Sequence, residues 1–395
     1  MKKLLEKIVT GVITCSGFLT SVIILLIVLF LFSEGFGLFS QKTIEDGYTL
    51  VVNKDNPVDE LNAEQIKEIF DEDLTNWKDV GGKDEGIMLF RFDDMQKFFT
   101  DEELGSNYEN AGKCIEQLVD ENSGIIAFVP EGFVGDGFTG KRLEDHHISG
   151  SEVFFGDEWF PTATPAPQFG FMPLVLGTVW VTVFAILFAL PFGLAVSIYM
   201  SEVASERMRK ILKPVFELLN GIPSVVYGFF GLIVIVPLLQ DVFGLPVGES
   251  GLAGAIVLAI MALPTIITVS QDAMLNCPRS QREASLALGA SRWQTIYKVV
   301  MPYSVSGITS AIVLGIGRAF GETMAVLMVT GNAAVIPLSI TDPLRTIPAT
   351  IAAELGEAPA GGPHYQSLFL LGVVLFFITL IINSSVEYIS AKNKK

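Results

Sequence analysis

Arg318 and Glu322 are the residues whose type and setting most demand a chemical reason. They stand in Gly315-Ile316-Gly317-Arg318-Ala319-Phe320-Gly321-Glu322-Thr323-Met324, inside an apolar run from Val305 to Thr330. An ionised side chain near the centre of a membrane span costs about 2.5–3.5 kcal/mol on insertion scales. On one continuous helix Glu322 lies on the same face as Arg318, about 6 Å further along the axis. Gly317 and Gly321 form a Gly-x-x-x-Gly spacing that admits close helix contact. Two roles fit. One is a gated anion pathway, with Arg318 attracting the anion, Glu322 balancing its charge while the site is empty, and Thr323 as a further candidate beside them. The other is a buried ion pair that fastens this span to its neighbours.

A second stretch, Cys277–Pro302, reads CPRSQREASLALGASRWQTIYKVVMP and is polar and basic between two apolar runs. It carries Arg279, Arg282, Arg292 and Lys298, with Glu283 as its acid. Gly289 within a helical pattern suggests two short helices meeting at a turn. Small side chains at Ala284 and Ser285 let a short helix enter a groove on a partner. Pro302 opens the next span, where its missing N–H costs nothing.

These residues must be held by apolar spans. The chain has 395 residues, of which 50% are hydrophobic and 17% charged, and a mean hydropathy of +0.50. Such composition points to a polytopic membrane protein. Apolar runs lie at about Ile8–Phe32, Met172–Met200, Ile222–Leu239, Leu252–Val269, Val305–Thr330 and Ser367–Ile389, and several approach the ~20 residues a bilayer requires. The first is too long for a signal-peptide core and has no small-x-small cleavage site after it, so it reads as a retained transmembrane helix. Pro191 and Pro264 fall inside spans, where neighbouring helices can satisfy the freed carbonyls.

Orientation follows from the basic residues. Lys2, Lys3 and Lys7 precede the first span, and Arg207, Arg209, Lys210 and Lys213 lie between the second and third. The Cys277–Pro302 stretch lies between the fourth and fifth, and Lys392, Lys394 and Lys395 close the chain. Six alternating spans put all of these on one side, which makes both termini and that stretch cytoplasmic.

The net charge of −17 is unevenly distributed: Gln41–Pro165 holds 29 acidic and 10 basic residues, leaving 14 acidic and 16 basic elsewhere. One acidic block, on the extracytoplasmic side, is therefore inserted into a near-neutral membrane protein, and its acidity argues against nucleic acid as a partner. Its pattern is α/β. Tyr48–Val52 and Ile87–Phe92 read as strands, as does Ile125–Val129 before Pro130. Ala63–Phe70 reads as a helix capped by Asn62 with Gln65 at the capping-box position, and a second helix lies around Glu109–Val119. Cys15, Cys114 and Cys277 are too few and scattered for a disulfide framework. His146-His147 lack further nearby ligands and read as a surface pair, so no metal or other cofactor is expected.

Three resemblances follow from these residues. Glu283-Ala284-Ser285, three residues, Gly289, nine residues, Val299, one residue, Met301-Pro302 resembles the EAA loop of ABC-importer permeases, with Ser, Val and Met at positions where that pattern has Ala, Ile and Leu. It implies that Glu283, Ala284, Ser285 and Gly289 couple to a separate ATPase, since the chain has no Gly-x-x-x-x-Gly-Lys-Ser/Thr of its own. The acidic block resembles one lobe of a periplasmic phosphate-binding protein through Asn56-Pro57-Val58, Leu61–Ile66, Thr75-Asn76-Trp77, Val80–Asp84 and Asn122–Phe128. There Arg91 is followed by Phe92-Asp93-Asp94 and Met95-Gln96-Lys97, where such proteins carry a Ser-Gly-Thr turn for the anion. The hydroxyl donors are missing and two carboxylates repel phosphate, so the lobe is not expected to bind it in the family manner.

The third resemblance rests on Leu219–Gly228, Gly317–Asn332, and Thr346–Glu354 with Gly356-Glu357-Ala358 and His364-Tyr365. These are similar to phosphate ABC-transporter permeases of the PstC type, across roughly Phe169 to Tyr388. The resemblance implies an all-α polytopic permease fold of about six transmembrane helices with an inserted α/β extracytoplasmic domain. The division is 1–40 for the first helix, 41–165 for the insertion and 166–395 for the permease core, with its cytoplasmic coupling loop at 277–302. The implied function is import of inorganic phosphate by a plasma- or inner-membrane subunit that performs no covalent chemistry itself. The implied partners are a homologous permease subunit, two ATPase subunits, an extracytoplasmic phosphate-binding protein and membrane lipid. A permease for sulfate or molybdate would share the coupling loop, and a membrane phosphate sensor without transport would account for the receptor-like block.

Overall fold

The protein is described from a computed structural model, which covers residues 2–105, 107–135 and 137–392. Lys394 and Lys395, which enter the charge pattern, lie outside the described residues. Among those described, six helical segments are long and apolar enough to cross a membrane: Val9–Ser40, Met172–Val203, Ser224–Phe243, Gly251–Leu275, Arg292–Phe320 and Pro363–Val386. The chain folds as two compact units. One consists of Phe36–Phe171 with Pro359–Ser367, and the other of Met172–Ala358 with the two terminal segments.

The first helix, α1, is Lys2–Gly37. The lobe that follows is a four-stranded sheet with helices on both faces. Its elements are β1 (Tyr48–Val52), α2 (Ala63–Phe70), β2 (Met88–Arg91), α3 (Ala111–Glu121), β3 (Ile125–Pro130) and β4 (Lys141–Arg142). The strand order is β2-β3-β1-β4. β1 runs antiparallel to β3, with Leu50 opposite Phe128 and Val52 opposite Ile126, and β2 runs parallel to β3.

Alternating side chains of β1 enter two different cores. Leu50 and Val52 pack with Ile66, Ile69 and Trp77 on the α2 side, and Val51 packs with Phe90, Ile115 and Val119 on the α3 side. This two-sided burial explains why β1 is a continuous apolar run. Burying each of these side chains contributes roughly 1.5–3 kcal/mol. Asn62 and Gln65 form the expected capping box at the start of α2. The segment Pro359–Ser367 also belongs to this unit, where the side-chain amide of Gln366 accepts from Gln41 at 3.1 Å.

The membrane unit comprises α4 (Met172–Ile198), α5 (Glu206–Gly221), α6 (Ser224–Phe230), α7 (Val236–Phe243), α8 (Gly251–Leu275), α9 (Arg279–Ala287), α10 (Arg292–Thr295), α11 (Met301–Phe320), α12 (Met324–Val329), α13 (Ile347–Glu354) and, from Leu368 on, α14 (Pro363–Lys392). π-helical turns at Tyr199–Val203, Gly231–Ile235 and Ile296–Val300 follow α4, join α6 to α7 and precede α11. α8 is the most deeply buried span. Its Ala253, Ala255, Ala259 and Ala262 are all buried; Ala253 shares a core with Val181 and Ala185 of α4, and Ala259 and Ala262 share one with Ala189. Lipid tails are as apolar as a protein core, so membrane helices associate through such small residues rather than by escaping water.

One expectation is corrected here. The apolar run Val305–Thr330 is not one helix with Arg318 at its centre and Glu322 on the same face. α11 ends at Phe320 and α12 begins at Met324. The reason is local: Gly321 ends α11, and Glu322 Oε1 accepts from the Ala325 N–H at 3.3 Å, satisfying a donor that the first turn of α12 leaves free. Arg318 therefore lies in the last turn of α11.

Candidate anion pathway and coupling surface

Two elements, α5 and α8, converge on Arg318 of α11. Its Nη1 donates to Asn220 Oδ1 at 2.7 Å, and Thr265 Oγ1 lies 3.5 Å away. The Thr265 hydroxyl in turn donates to the same Asn220 oxygen at 3.2 Å. Asn220 is at the end of α5, just before the Pro223 break that starts α6. That end is held by Tyr227, whose hydroxyl donates to the Leu219 carbonyl at 2.8 Å. Thr265 follows the in-helix Pro264 of α8, ten residues from Leu275 and so about 15 Å from that end of the helix.

Glu322 is not brought to Arg318. Among the described residues no carboxylate forms an ion pair with the guanidinium, and its partners are neutral. The charge-balancing role expected of Glu322 therefore has no direct contact behind it. Thr323 donates to the Gly321 carbonyl at 3.3 Å. It also lines an open, largely apolar cavity of about 560 Å³ with Gly321, Pro348, Ile351, Leu355 and Leu375.

The coupling stretch folds as two short helices around a turn. Gly289 has φ +88°, a left-handed conformation that other residues adopt only with strain. Ser291 and Gln294 form a capping box that starts α10. Ser285 lies 3.0 Å from the Thr295 hydroxyl and ties the two helices together. Glu283, Ala284 and Gly289 are exposed, as are Leu286, Leu288, Trp293 and Tyr297. Sequence reasoning missed the anchor of this surface. Arg282 is ion-paired with Glu202 at 2.9 Å and donates to the Met274 carbonyl at 2.7 Å, tying α9 to the π-turn after α4 and to α8. From α10 through the π-turn to Phe320 the chain stays helical, so the turn at Gly289 and Arg318 are connected by one rod.

Elsewhere in the membrane unit, Arg345 donates from Nε to the Asn332 carbonyl at 3.0 Å and pairs with Glu354 at the end of α13. The N–H of Ile347 is satisfied by Thr178 of α4 at 2.9 Å.

In the lobe, the arginine at the end of β2 has a different use. Arg91 Nη2 donates to the Phe70 carbonyl at 2.7 Å, and its guanidinium lies 5.4 Å from the Phe70 ring centroid. Asp93 and Asp94 follow in a short 3-10 turn. His146 contacts Glu60 at 2.9 Å. Lys67 bridges Asp71 at 2.8 Å and Glu158 at 3.0 Å. The hydrogen bond to Asp71 above all raises the pKa of its ammonium, against the burial that lowers it, with Glu158 adding to the rise. Burial pushes the Cys114 thiol up, and the nearby Glu103 charge adds to this.

With this geometry in place, residues 189–395 match the family of binding-protein-dependent transport system inner membrane components. The chain belongs to that family. This permease is therefore a multi-pass inner-membrane channel subunit rather than an enzyme. Among its relatives are the probable ABC transporter permease protein YqgH of Bacillus subtilis, 42% identical over 62% of this chain and 80% of that protein, and the phosphate transport system permease protein PstC of Xylella fastidiosa, 34% identical over 60% and 77%. Residues 32–97 match a PBP superfamily domain. A solved structure of a putative phosphate ABC transporter substrate-binding protein from Clostridium perfringens is 30% identical, covering 26% of this chain and 46% of that one, with a TM-score of 0.20.

Sequence reasoning found Arg318 from its charge in an apolar run, and missed Asn220 and Thr265. Their signals were weaker: an amide immediately before Gly-Ile-Pro, and a hydroxyl immediately after a proline inside a span.

Proposed function

We infer that this permease is the membrane subunit of an ATP-driven importer of inorganic phosphate. The observation that carries this reading is a cation in a membrane helix, Arg318, held by neutral partners and left uncompensated, in a chain whose relatives are named as phosphate transport permeases. An intramembrane ionisable residue marks an ion or substrate pathway by default, and an uncompensated cation suits an anion.

Both termini and the Cys277–Pro302 stretch face the cytoplasm, and residues 41–165 face outward. One homologous permease completes the pathway, two ATPase subunits seat the coupling loops, and an extracytoplasmic binding protein delivers phosphate. Glu283, Ala284, Ser285 and Gly289 form the seat for the ATPase, with Leu288 and Trp293 beside them as apolar anchors. Closure of the ATPases on ATP moves this seat, and α11 carries the motion to Arg318. Glu322 and Thr323 act at the helix break, shaping the end of α11 on which Arg318 sits.

Reconstituted vesicles carrying the assembled transporter test this. ATP-dependent accumulation of phosphate, competed by arsenate and not by sulfate or molybdate, is the expected result. Accumulation of sulfate or molybdate in its place would assign a different oxyanion, and phosphate binding without ATP-driven uptake would leave a sensor.

A further inference from the structure

We propose that Asn220 and Thr265 are positioning residues that aim Arg318 at the transported oxyanion without neutralising it. The proposal rests on the pathway reading of Arg318 given above.

Holding a guanidinium in place inside a membrane protein requires acceptors for its five N–H groups. A carboxylate would satisfy them well but would also cancel the charge. Here the acceptors are an amide oxygen and a hydroxyl, which have no formal charge. Both act on one nitrogen, Nη1. Among the described residues no hydrogen bond engages Nε or Nη2 of Arg318. Those two atoms form the side of the guanidinium that grips an oxyanion through two parallel hydrogen bonds. Asn220 and Thr265 thus fix the group by its far nitrogen and leave its bidentate side and its full charge available.

The Thr265–Asn220 hydrogen bond adds rigidity. Asn220 Oδ1 accepts from both Thr265 and Arg318, which also fixes which way the amide is turned, since its oxygen must face them. The three residues come from α5, α8 and α11, so the knot closes only when the ends of α5 and α11 meet the Pro264 region of α8. A shift of α11 along its axis must either carry Asn220 with it or release Arg318, which makes the aim of the guanidinium dependent on the position of the coupling loop.

An aspartate at position 220 separates this from a fastening role. Asn220→Asp keeps the shape and strengthens the bond to Arg318. If residue 220 only fastens α5 to α11, the variant should assemble and transport as well as the native protein. If residue 220 must stay neutral, the new ion pair removes the charge the anion needs, and transport should fall further than in Asn220→Ala.

The test uses the assembled transporter in vesicles, with its ATPases and binding protein, and reads phosphate kcat and KM together with the amount of assembled complex. The expected result is normal assembly in Asn220→Asp, Asn220→Ala and Thr265→Val. The loss in kcat/KM should be at least roughly 10-fold for Asn220→Asp, smaller for Asn220→Ala and smallest for Thr265→Val, the order expected for charge cancellation followed by loss of one charge-assisted hydrogen bond. Asn220→Gln, which can restore a neutral acceptor, should recover part of the activity. Native activity in Asn220→Asp, an activity above that of Asn220→Ala, or failure of all three variants to assemble would each overturn the proposal in favour of fastening. Arg318→Gln run in parallel separates the two levels. If it still transports, the pathway reading itself falls. If it is inactive while Asn220→Asp is native, only the positioning role falls.

Discussion

Two arginines, each at the end of a secondary-structure element, are treated differently in the two units. Arg91 ends β2 in the lobe, donates to the Phe70 carbonyl and lies over the Phe70 ring. Arg318, in the last turn of α11, is held by Asn220 and Thr265 through one nitrogen. The lobe lies in a segment, 41–165, with 29 acidic residues, where a guanidinium is easily accommodated and can serve as packing. In a membrane span the same group has few neighbours able to stabilise it, and its persistence needs a use. A charged residue is informative in inverse proportion to how easily its surroundings accommodate it.

Replacing both arginines by glutamine breaks the comparison or sharpens it. Arg318→Gln should reduce phosphate uptake by at least ~100-fold while the complex assembles normally, since it loses a full charge where charge-assisted contacts are strongest. Failed assembly would make Arg318 a fastener like its counterpart. Arg91→Gln should leave uptake within about twofold of native and lower the stability of the lobe by about 1–3 kcal/mol, the range for losing a charge-assisted hydrogen bond and a cation–π contact. Urea unfolding of the purified chain, followed through buried Trp77 and Trp159, reads the second effect. Calorimetry on the same chain should detect no micromolar phosphate binding that depends on Arg91, and finding it would restore an anion site to the lobe.

Smaller effects test whether the lobe is an independently encoded α/β fold. Asn62→Ala removes the cap of α2 and should destabilise the lobe by about 1 kcal/mol with no change in uptake. The Glu103 carboxylate accepts from the Thr100 N–H at 2.8 Å and from its hydroxyl at 2.9 Å. The backbone contact first, then the hydroxyl, hold its pKa below the ordinary value. Because the charged form is the one bound, this stabilisation is complete above the ordinary carboxylate pKa of about 4.3 and is lost as pH falls through the lower folded value. Thr100→Val should therefore make the acid limb of the unfolding profile slightly shallower, which is the smallest effect of the set.

Much of the fold was legible in the sequence because it is specified locally. β1 and α2 fall on Tyr48–Val52 and Ala63–Phe70 as the apolar pattern and the Asn62–Gln65 cap require. The spans follow from hydropathy. What was hidden depends on distant partners or on short polar words within apolar runs. Asn220 and Arg318 are 98 positions apart and Thr265 and Arg318 are 53 apart, so no window of sequence holds the knot. The attachment of Gln366 to Gln41 joins positions 325 apart. The break at Gly321–Thr323 was hidden because hydropathy averages over a span, whereas the contact at the break is a single one, from the Ala325 N–H to Glu322. Of the stretch around Gly289, the sequence pattern showed the turn, but not Glu202, which anchors Arg282 from the π-turn after α4.

The π-turn at Ile296–Val300 sets an angular relation as well as a path. Each residue of an α-helix turns the chain by about 100° and advances it 1.5 Å, so the number of residues between Gly289 and Arg318 fixes the azimuth at which the guanidinium meets Asn220. A π-turn holds one residue more than the α-helical path would. Deleting a residue there lets the turn relax to α-helix and keeps both ends in phase. The same deletion anywhere from Met301 to Gly317 swings Arg318 about a quarter-turn away from Asn220 and Thr265. The rod between the Gly289 turn and Arg318 therefore behaves as a keyed shaft, tolerant of a lost residue at one turn and intolerant of it along the rest of its length.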